Sequence, residues 1–169
     1  MIKNAYFAGG CFWCITPTFA SLNGVKSVIS GYSGGKEVNP SYEEVKKQKT
    51  LHRETIKIEY DDSRVSFEEL LDIFISSVDP FDDGGQFIDR GRSYTLAIYY
   101  NDDYELDASK KVIKRLEEKS KKEVFIALEK FDRFYEAEEY HQMYYEKNPK
   151  EFEEEMINSG RKNIEKNNN

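Results

Sequence analysis

Two cysteines lie close together near the start of the chain, at positions 11 and 14. They follow a short strand-like segment and a Gly9-Gly10 turn, after which the pattern predicts a helix. A thiolate at a helix start is stabilised by free backbone N–H groups and by the positive end of the helix dipole. The pair therefore indicates redox or nucleophilic chemistry. Half of a metal site and a pair of packed, unreactive cysteines are the alternatives.

A metal site would need more ligands than these two thiols. His52 and His141 are the only histidines in the sequence, and their separations from the cysteines match no zinc-finger or zinc-ribbon spacing. A zinc-stabilised binding module and a thioredoxin-like dithiol oxidoreductase nevertheless stay open as alternatives. The second should carry a cis-proline loop facing the cysteines, and none of the four prolines has a context that argues for one.

Glu54 is a candidate general acid. It begins a segment of strict alternation in which Ile56, Ile58 and Tyr60 share one face with it. A carboxyl group on an apolar face is deprived of water, which favours its protonated form. The alternative is a glutamate at the strand edge that pairs with a lysine or an arginine.

Phe12 and Trp13, between the two cysteines, could form the wall of an apolar pocket. Such a pocket would hold a small thioether or methyl group beside the thiol. The alternative is that both aromatic side chains simply belong to the core.

Strands and helices must alternate to bring these residues together. The patterns predict strands over 2–8, 25–31, 54–60, 93–100 and 123–131, with Tyr94 on the fourth. They predict helices after Gly10, from the capping boxes Ser41–Glu44 and Ser66–Glu69, over 103–120 and over 137–147. Pro17 is expected in the first turn of its helix. This order predicts an α/β or α+β sandwich with helices packed on a sheet.

Length and composition fit one globular domain. The chain has 169 residues, of which 38% are hydrophobic, enough for a sizeable core. The net charge of −7 has the wrong sign for a protein that neutralises phosphates, so no nucleic-acid partner is expected. The N-terminal apolar run is too short for a signal sequence or a membrane span. With two neighbouring cysteines instead of a disulfide scaffold, we expect a cytoplasmic protein with no membrane partner.

Six segments together resemble the type A peptide methionine sulfoxide reductases, in one order from about residue 5 to residue 149. They are GGCFWC at 9–14, GYSGG at 31–35, NPSY at 39–42, HRE at 52–54, DRGRSY at 89–94 and AEEYHQMYYEKNP at 137–149. The resemblance implies an α+β fold, a mixed sheet with a ferredoxin-like (α/β plait) core flanked by helices. It implies a single reductase domain over residues 1–150. Residues 151–169 would be a charged helix and a polar tail, for which no role is predicted.

The resemblance also implies an activity, that of a peptide-methionine (S)-S-oxide reductase with no cofactor and no metal. Cys11 is similar to the attacking nucleophile, and Glu54 to the group that protonates the sulfoxide oxygen. The remaining roles implied are hydrogen bonding to that oxygen for Tyr42 and Tyr94, a methyl pocket for Phe12 and Trp13, and lining of the substrate site for Asp89 and His141. The substrate would be free methionine sulfoxide or oxidised proteins, and the sequence does not say which is preferred.

Regeneration departs from much of the family, whose members often carry resolving cysteines in a Gly-rich C-terminal tail. No cysteine follows Pro149 here, so Cys14 is the internal thiol that could attack a sulfenic acid at Cys11. We expect a Cys11–Cys14 disulfide that thioredoxin reduces. Direct reduction of the sulfenic acid by another thiol is the alternative. The sequence also departs from the family pattern at Leu51, Arg53 and Arg92-Ser93. The resemblance therefore does not predict the charges or the peptide-binding rim of the site.

Overall fold

The computed structural model describes residues 1–161 of the chain. Its strands are β1 (Ile2–Gly9), β2 (Val25–Ser33), β3 (Arg53–Asp61), β4 (Gly85–Gln86), β5 (Asp89–Arg90), β6 (Leu96–Tyr100), β7 (Ile126–Lys130) and β8 (Tyr135–Glu136). Its α-helices are α1 (Phe12–Ala20), α2 (Tyr42–Lys46), α3 (Phe67–Ser76), α4 (Asp103–Ser120), α5 (Tyr144–Lys147) and α6 (Pro149–Ser159). Short 3-10 helices cover Arg92–Tyr94 and Glu139–His141.

The main sheet in residues 1–161 has the strand order β7-β6-β1-β3-β2-β8. Neighbouring strands are antiparallel except β6 and β7, which are parallel. The sheet is therefore mixed, as predicted, and the helices make the fold α+β. Strands β4 and β5 form a separate hairpin. No helix in the described part of the chain is both long and apolar enough to cross a membrane.

The two faces of β1 divide the core, because successive side chains of a strand point to opposite sides. Phe7 faces the helices and stacks on Phe74 of α3, with ring centroids 4.8 Å apart. Tyr6 faces the other way and stacks on Phe131, with ring centroids 3.9 Å apart. The larger cluster lies on the helical side of the sheet, which is also the side of Glu54.

Helix starts follow the predicted caps. Ser41 accepts a hydrogen bond from the Glu44 N–H, and the Glu44 side chain accepts one from the Ser41 N–H, which completes a capping box. Ser66 accepts from the Glu69 N–H in the same way at α3. The predicted helix over 103–120 is confirmed by α4.

Tyr94 does not lie on a strand, contrary to the prediction. It ends the 3-10 helix Arg92–Tyr94, and β6 begins two residues later at Leu96. The Tyr94 N–H donates to the Gly91 carbonyl, so the chain turns here instead of extending. The alternation with Leu96 had suggested a longer strand.

The segment 137–147 is not one helix either. Gln142 has an extended backbone and Met143 is left-handed (φ 51°), which separates the 3-10 helix from α5. The strand predicted over 123–131 is the shorter β7, and β8 was missed. Pro17 is the sixth residue of α1 instead of lying in its first turn.

Candidate active site

The turn between β1 and α1 places Cys11 at the helix start and Cys14 in the first helical turn. The Cys14 N–H donates to the Cys11 carbonyl over 3.1 Å. Gly10 has a φ of 86°, a conformation that glycine tolerates best. Both cysteines are free thiols, and their exposed fractions are 7% for Cys11 and 3% for Cys14. The sequence therefore placed the pair correctly at the beginning of a helix.

Glu54 meets the same helix start from the neighbouring strand β3. Its Oε1 accepts a hydrogen bond from the Phe12 N–H over 3.2 Å. Its side chain is 1% exposed, and Oε2 has no hydrogen-bond partner of good geometry within residues 1–161. Cys11 and Glu54 thus converge, which the assignment of both to one site requires.

Burial controls the ionisation of Glu54. Loss of water raises its pKa to about 8, although the hydrogen bond from the Phe12 N–H acts in the opposite direction. The charges of Asp89 and Cys14 also contribute to this rise, and the hydrogen bond from the Tyr94 hydroxyl opposes it. Glu54 is therefore mostly protonated at pH 7 and can donate a proton.

The two thiols share one hydrogen bond, and it separates their pKa values. Donation from the Cys11 thiol to Cys14 raises the pKa of Cys11, and burial raises it further. The same hydrogen bond lowers the pKa of Cys14, and the positive charge of Arg161 adds to this effect. The helix dipole had suggested an easily ionised Cys11. In this arrangement the thiolate is instead favoured at Cys14.

Tyr42 and Tyr94 stand around the carboxyl group of Glu54. Tyr42 opens α2 and is half-buried, whereas Tyr94 is buried in its 3-10 helix. Burial and the charge of Glu54 raise the pKa of each phenol. Both hydroxyl groups therefore stay protonated and can donate hydrogen bonds.

An aromatic wall borders the thiols. The Trp13 indole N–H donates to His141 Nδ1 over 3.0 Å. Trp13 stacks on Tyr144, with ring centroids 4.1 Å apart and planes 12° apart. Tyr42 lies 4.2 Å from the His141 ring. Phe12 is fully buried behind this group, and its ring centroid lies 5.2 Å from that of His141. It therefore supports the wall from the core.

His141 serves this wall as a neutral imidazole. Because Nδ1 accepts from Trp13, we place the ring proton on Nε2, which has no partner within residues 1–161. Burial lowers the pKa of His141 to about 4. It therefore carries no charge at pH 7.

Asp89 reaches the site from β5. It is half-buried, and loss of water raises its pKa, as does Glu155, whereas Arg161 and Lys46 act against the rise. Its charge acts on Cys11 and on Glu54. The hairpin that carries it is held by the Arg90–Asp82 ion pair.

Several residues of the site were missed by the sequence reasoning. Tyr144 is one of twelve tyrosines, so its stacking on Trp13 had no distinct signal. Glu138 accepts hydrogen bonds from the Tyr32 hydroxyl over 2.9 Å and from the Tyr42 N–H over 3.0 Å. Glu138 thereby joins α2 to the segment 137–147 and fixes the position of Tyr42.

The C-terminal helix α6 also reaches the thiols. Phe152 and Met156 pack against Cys11 and Cys14. Arg161, just beyond the helix, is buried as well. The helix falls where a charged helix was expected, but its contact with the site was not predicted. The end of the predicted tail, residues 162–169, lies outside the described residues.

The two histidines lie in different hydrogen-bond networks. His52 Nε2 lies 2.8 Å from the Glu37 carbonyl, and His52 Nδ1 accepts from the Gly35 N–H. His141 belongs to the aromatic wall. Among residues 1–161, no group of three or more His, Cys, Asp or Glu side chains is placed to hold a metal ion.

Comparison with known proteins places this chain in a family. The family model for peptide methionine sulfoxide reductase matches residues 3–169. The chain belongs to this family. Peptide methionine sulfoxide reductase MsrA 2 of Staphylococcus aureus (strain Mu50) is 46% identical over 162 residues, which are 95% of this chain and 92% of the relative. MsrA of Bacillus velezensis is 44% identical over 159 residues, with 93% and 90% covered.

Solved structures agree with this membership. The reduced form of Mxr1 from Saccharomyces cerevisiae superposes with a TM-score of 0.83 at 29% identity. The match covers 88% of this chain and 87% of that one. The resemblance seen in the sequence motifs is therefore confirmed, and the chain is an oxidoreductase of the peptide methionine sulfoxide reductase family.

Proposed function

We propose that this reductase converts methionine S-sulfoxide to methionine by attack of Cys11 on sulfur, with Glu54 protonating the oxygen. The observation that carries the proposal is the convergence of the two groups at the start of α1. A buried, protonated carboxyl group accepts the N–H of the residue next to the nucleophile, over 3.2 Å. A nucleophile and a proton donor would then both reach one sulfoxide group.

The chemistry requires both groups. A sulfoxide sulfur is electrophilic, but its oxygen leaves only when it is protonated. Cys11 transfers its thiol proton to Cys14, its hydrogen-bond partner, and attacks sulfur as a thiolate. Glu54 gives its proton to the oxygen, which moves to Cys11. The products are methionine, now reduced by two electrons, and a sulfenic acid at Cys11.

The surrounding side chains would orient the substrate. Tyr42 and Tyr94 would donate hydrogen bonds to the sulfoxide oxygen, and Trp13 with His141 would hold the methyl group. Phe12 would support that pocket from behind, and Asp89 would line its rim. Because the sulfoxide sulfur is chiral, a site that fixes oxygen, methyl group and side chain separately accepts one epimer, which the resemblance implies is the S form.

Regeneration would proceed through Cys14. Cys14 releases to solvent the proton that it took from Cys11, and its Sγ attacks the sulfenic sulfur. A disulfide forms as the S–O bond breaks, and the hydroxyl group takes up a proton from solvent and leaves as water. The position of Cys14 in the first turn of α1, where its N–H donates to the Cys11 carbonyl over 3.1 Å, supports this step. A thioredoxin, or another thiol reductant, would then reduce the disulfide. Oxidised proteins and free methionine sulfoxide are both proposed substrates, and a cytoplasmic location stays a prediction.

The fold bears on two further proposals. Four strands have the order β6-β1-β3-β2, all antiparallel, with α1 and α3 in the connections. This arrangement supports the ferredoxin-like core that the resemblance implies. Because α6 packs on both cysteines, we assign residues 151–161 to the same domain as residues 1–150, instead of to a separate tail.

The test is turnover of the separate S and R epimers of a blocked methionine sulfoxide. Glu54→Gln should lower kcat/KM for the S epimer by about 10²–10⁴-fold, the range for a positioned acid. Glu59→Gln, on the same strand, is the matched control and should keep full activity. A Glu54→Gln enzyme within a few-fold of the unaltered one, or preference for the R epimer, would refute the proposal.

A further inference from the structure

Arg161 is a buried cation outside the proposed catalytic residues. Its side chain is 3% exposed. Nη2 donates to the Gly9 carbonyl over 2.7 Å, and Nη1 donates to the Ser77 carbonyl over 3.3 Å. The guanidinium lies 4.9 Å from the centre of the Phe87 ring. Within residues 1–161 it forms no ion pair with a carboxylate, and its Nε has no hydrogen-bond partner.

The position of this charge connects it with the thiols. A Cβ atom on Gly10, next to Cys11, would lie 2.6 Å from Arg161 Nη2. The guanidinium therefore sits directly against the turn that leads into α1. From the same C-terminal segment, Met156 packs on both cysteines. A buried charge is costly unless another group balances it, and the thiol pair is a group that can become negative.

We propose that Arg161 is a positioning residue that holds a positive charge beside the dithiol and stabilises the thiolate of Cys14 for the regeneration step. The inference rests on the proposed role of Cys14 as the resolving thiol. It gives the segment that follows α6 a function in regeneration.

The timing of the reaction explains why a fixed charge is needed. The charged and titratable groups that act on Cys14 or respond to it are Cys11, Glu54, Asp89, Tyr144, Glu155 and Arg161. In the reduced enzyme the Cys11 thiol favours the Cys14 thiolate through its hydrogen bond. After the first step Cys11 is a sulfenic acid, and that thiol donor is gone. Among residues 1–161, Arg161 is then the cation that still lowers the pKa of Cys14, while Asp89 and Glu155 oppose it.

The direct test is titration of Cys14 in a Cys11→Ser background, where thiolate absorbance reports one thiol. Arg161→Gln removes the charge and keeps a hydrogen-bond donor, and it should raise the midpoint by about 1 pH unit or more. Arg161→Lys should stay near the parent. Arg115→Gln, on the exposed face of α4, is the matched control. An unchanged midpoint in Arg161→Gln, or equal rises for Gln and Lys, would overturn the proposal.

A second variant keeps the test available if Arg161→Gln does not fold. Glu155 is half-buried on α6 and opposes the Cys14 thiolate. Glu155→Gln should therefore shift the Cys14 midpoint in the opposite direction, to lower pH. A midpoint that stays unchanged would contradict the view that charges of this segment control the thiol.

Single-turnover kinetics of the full enzyme give a catalytic readout. Below both midpoints, Arg161→Gln loses about tenfold in thiolate, but a more basic thiolate is more nucleophilic, so disulfide formation should slow about threefold. Above both midpoints the variant should be the faster one. A uniform loss at every pH would indicate mere structural damage and overturn the proposal. If the parent enzyme formed no disulfide, regeneration by Cys14 would be refuted. The titration would still test whether Arg161 stabilises the Cys14 thiolate.

Discussion

At the residue scale, Glu54 shows how burial prepares a group for chemistry at a cost in stability. Its pKa is about 8 in the folded protein against an ordinary value of 4.5. The unfolded chain therefore binds fewer protons than the folded one between these values. The unaltered protein should lose stability as the pH rises through that window, by up to about 1.4 kcal/mol per pH unit, and the loss should level off above pH 8.

Glu54→Gln cannot ionise, so it should escape this loss. We expect its melting temperature to rise relative to that of the unaltered protein between pH 5 and pH 8, although its activity falls. Thermal unfolding followed by circular dichroism across this range measures the difference. If the difference in melting temperature between the two proteins were the same at every pH, it would contradict a buried, protonated Glu54.

The same ionisation should appear in the kinetics. Because the donor is the protonated form, kcat/KM for the S-sulfoxide should fall with increasing pH once Glu54 ionises, with a limb near pH 8. Initial rates at low substrate concentration across a pH series measure this limb. Glu59→Gln should retain the same limb. A rate that still rises well above pH 8 would exclude Glu54 as the acid.

At the element scale, one side chain joins the segment 137–147 to the sheet. Gln142 Oε1 accepts from the Ser30 N–H, and Nε2 donates to the carbonyls of Ser30 and Ala137, each over 2.9 Å. These bonds hold the segment that carries His141 against β2. The aromatic wall therefore depends on an amide that itself contacts no thiol.

Gln142→Ala should remove these three hydrogen bonds and leave partly buried backbone groups unpaired. We expect a loss of about 2–4 kcal/mol in the free energy of unfolding, together with a higher KM, because His141 and Tyr144 lose their anchor. Urea unfolding and steady-state kinetics measure both effects. The exposed Lys150→Ala on α6 serves as control. An unchanged KM in a destabilised Gln142→Ala enzyme would show that the anchor does not position the wall.

At the scale of the whole molecule, the site is closed by residues far apart in the chain. Met156 of α6 covers the thiols that follow β1. Met156→Ala should leave a cavity and cost about 2–5 kcal/mol. The same change should speed the reaction of the two buried thiols with an aromatic disulfide reagent. Ile157→Ala, an exposed position on the same helix, should change neither quantity. Equal labelling rates in both variants would disprove the cover.

Much of this architecture could be predicted from local patterns. Strict alternation placed Glu54 on the apolar face of its strand, and the caps at Ser41 and Ser66 marked two helix starts. Prediction failed where long-range contacts override such patterns. Tyr94 continues an alternating pattern but turns, and the segment 137–147 has a helical composition but breaks at Met143, because Gln142 binds the backbone of β2.

The sequence by itself determined the family of this protein, through the CxxC pair, the glutamate on an apolar strand face and the ordered motifs. These features are local, since spacing along the chain fixes them. The tertiary structure alone decided how burial and neighbouring groups shift the pKa of each thiol, and it brought Tyr144, Met156 and Arg161 to the site. Ionisation and packing depend on burial and on charges from distant segments, and neither quantity is encoded in the spacing of neighbouring residues.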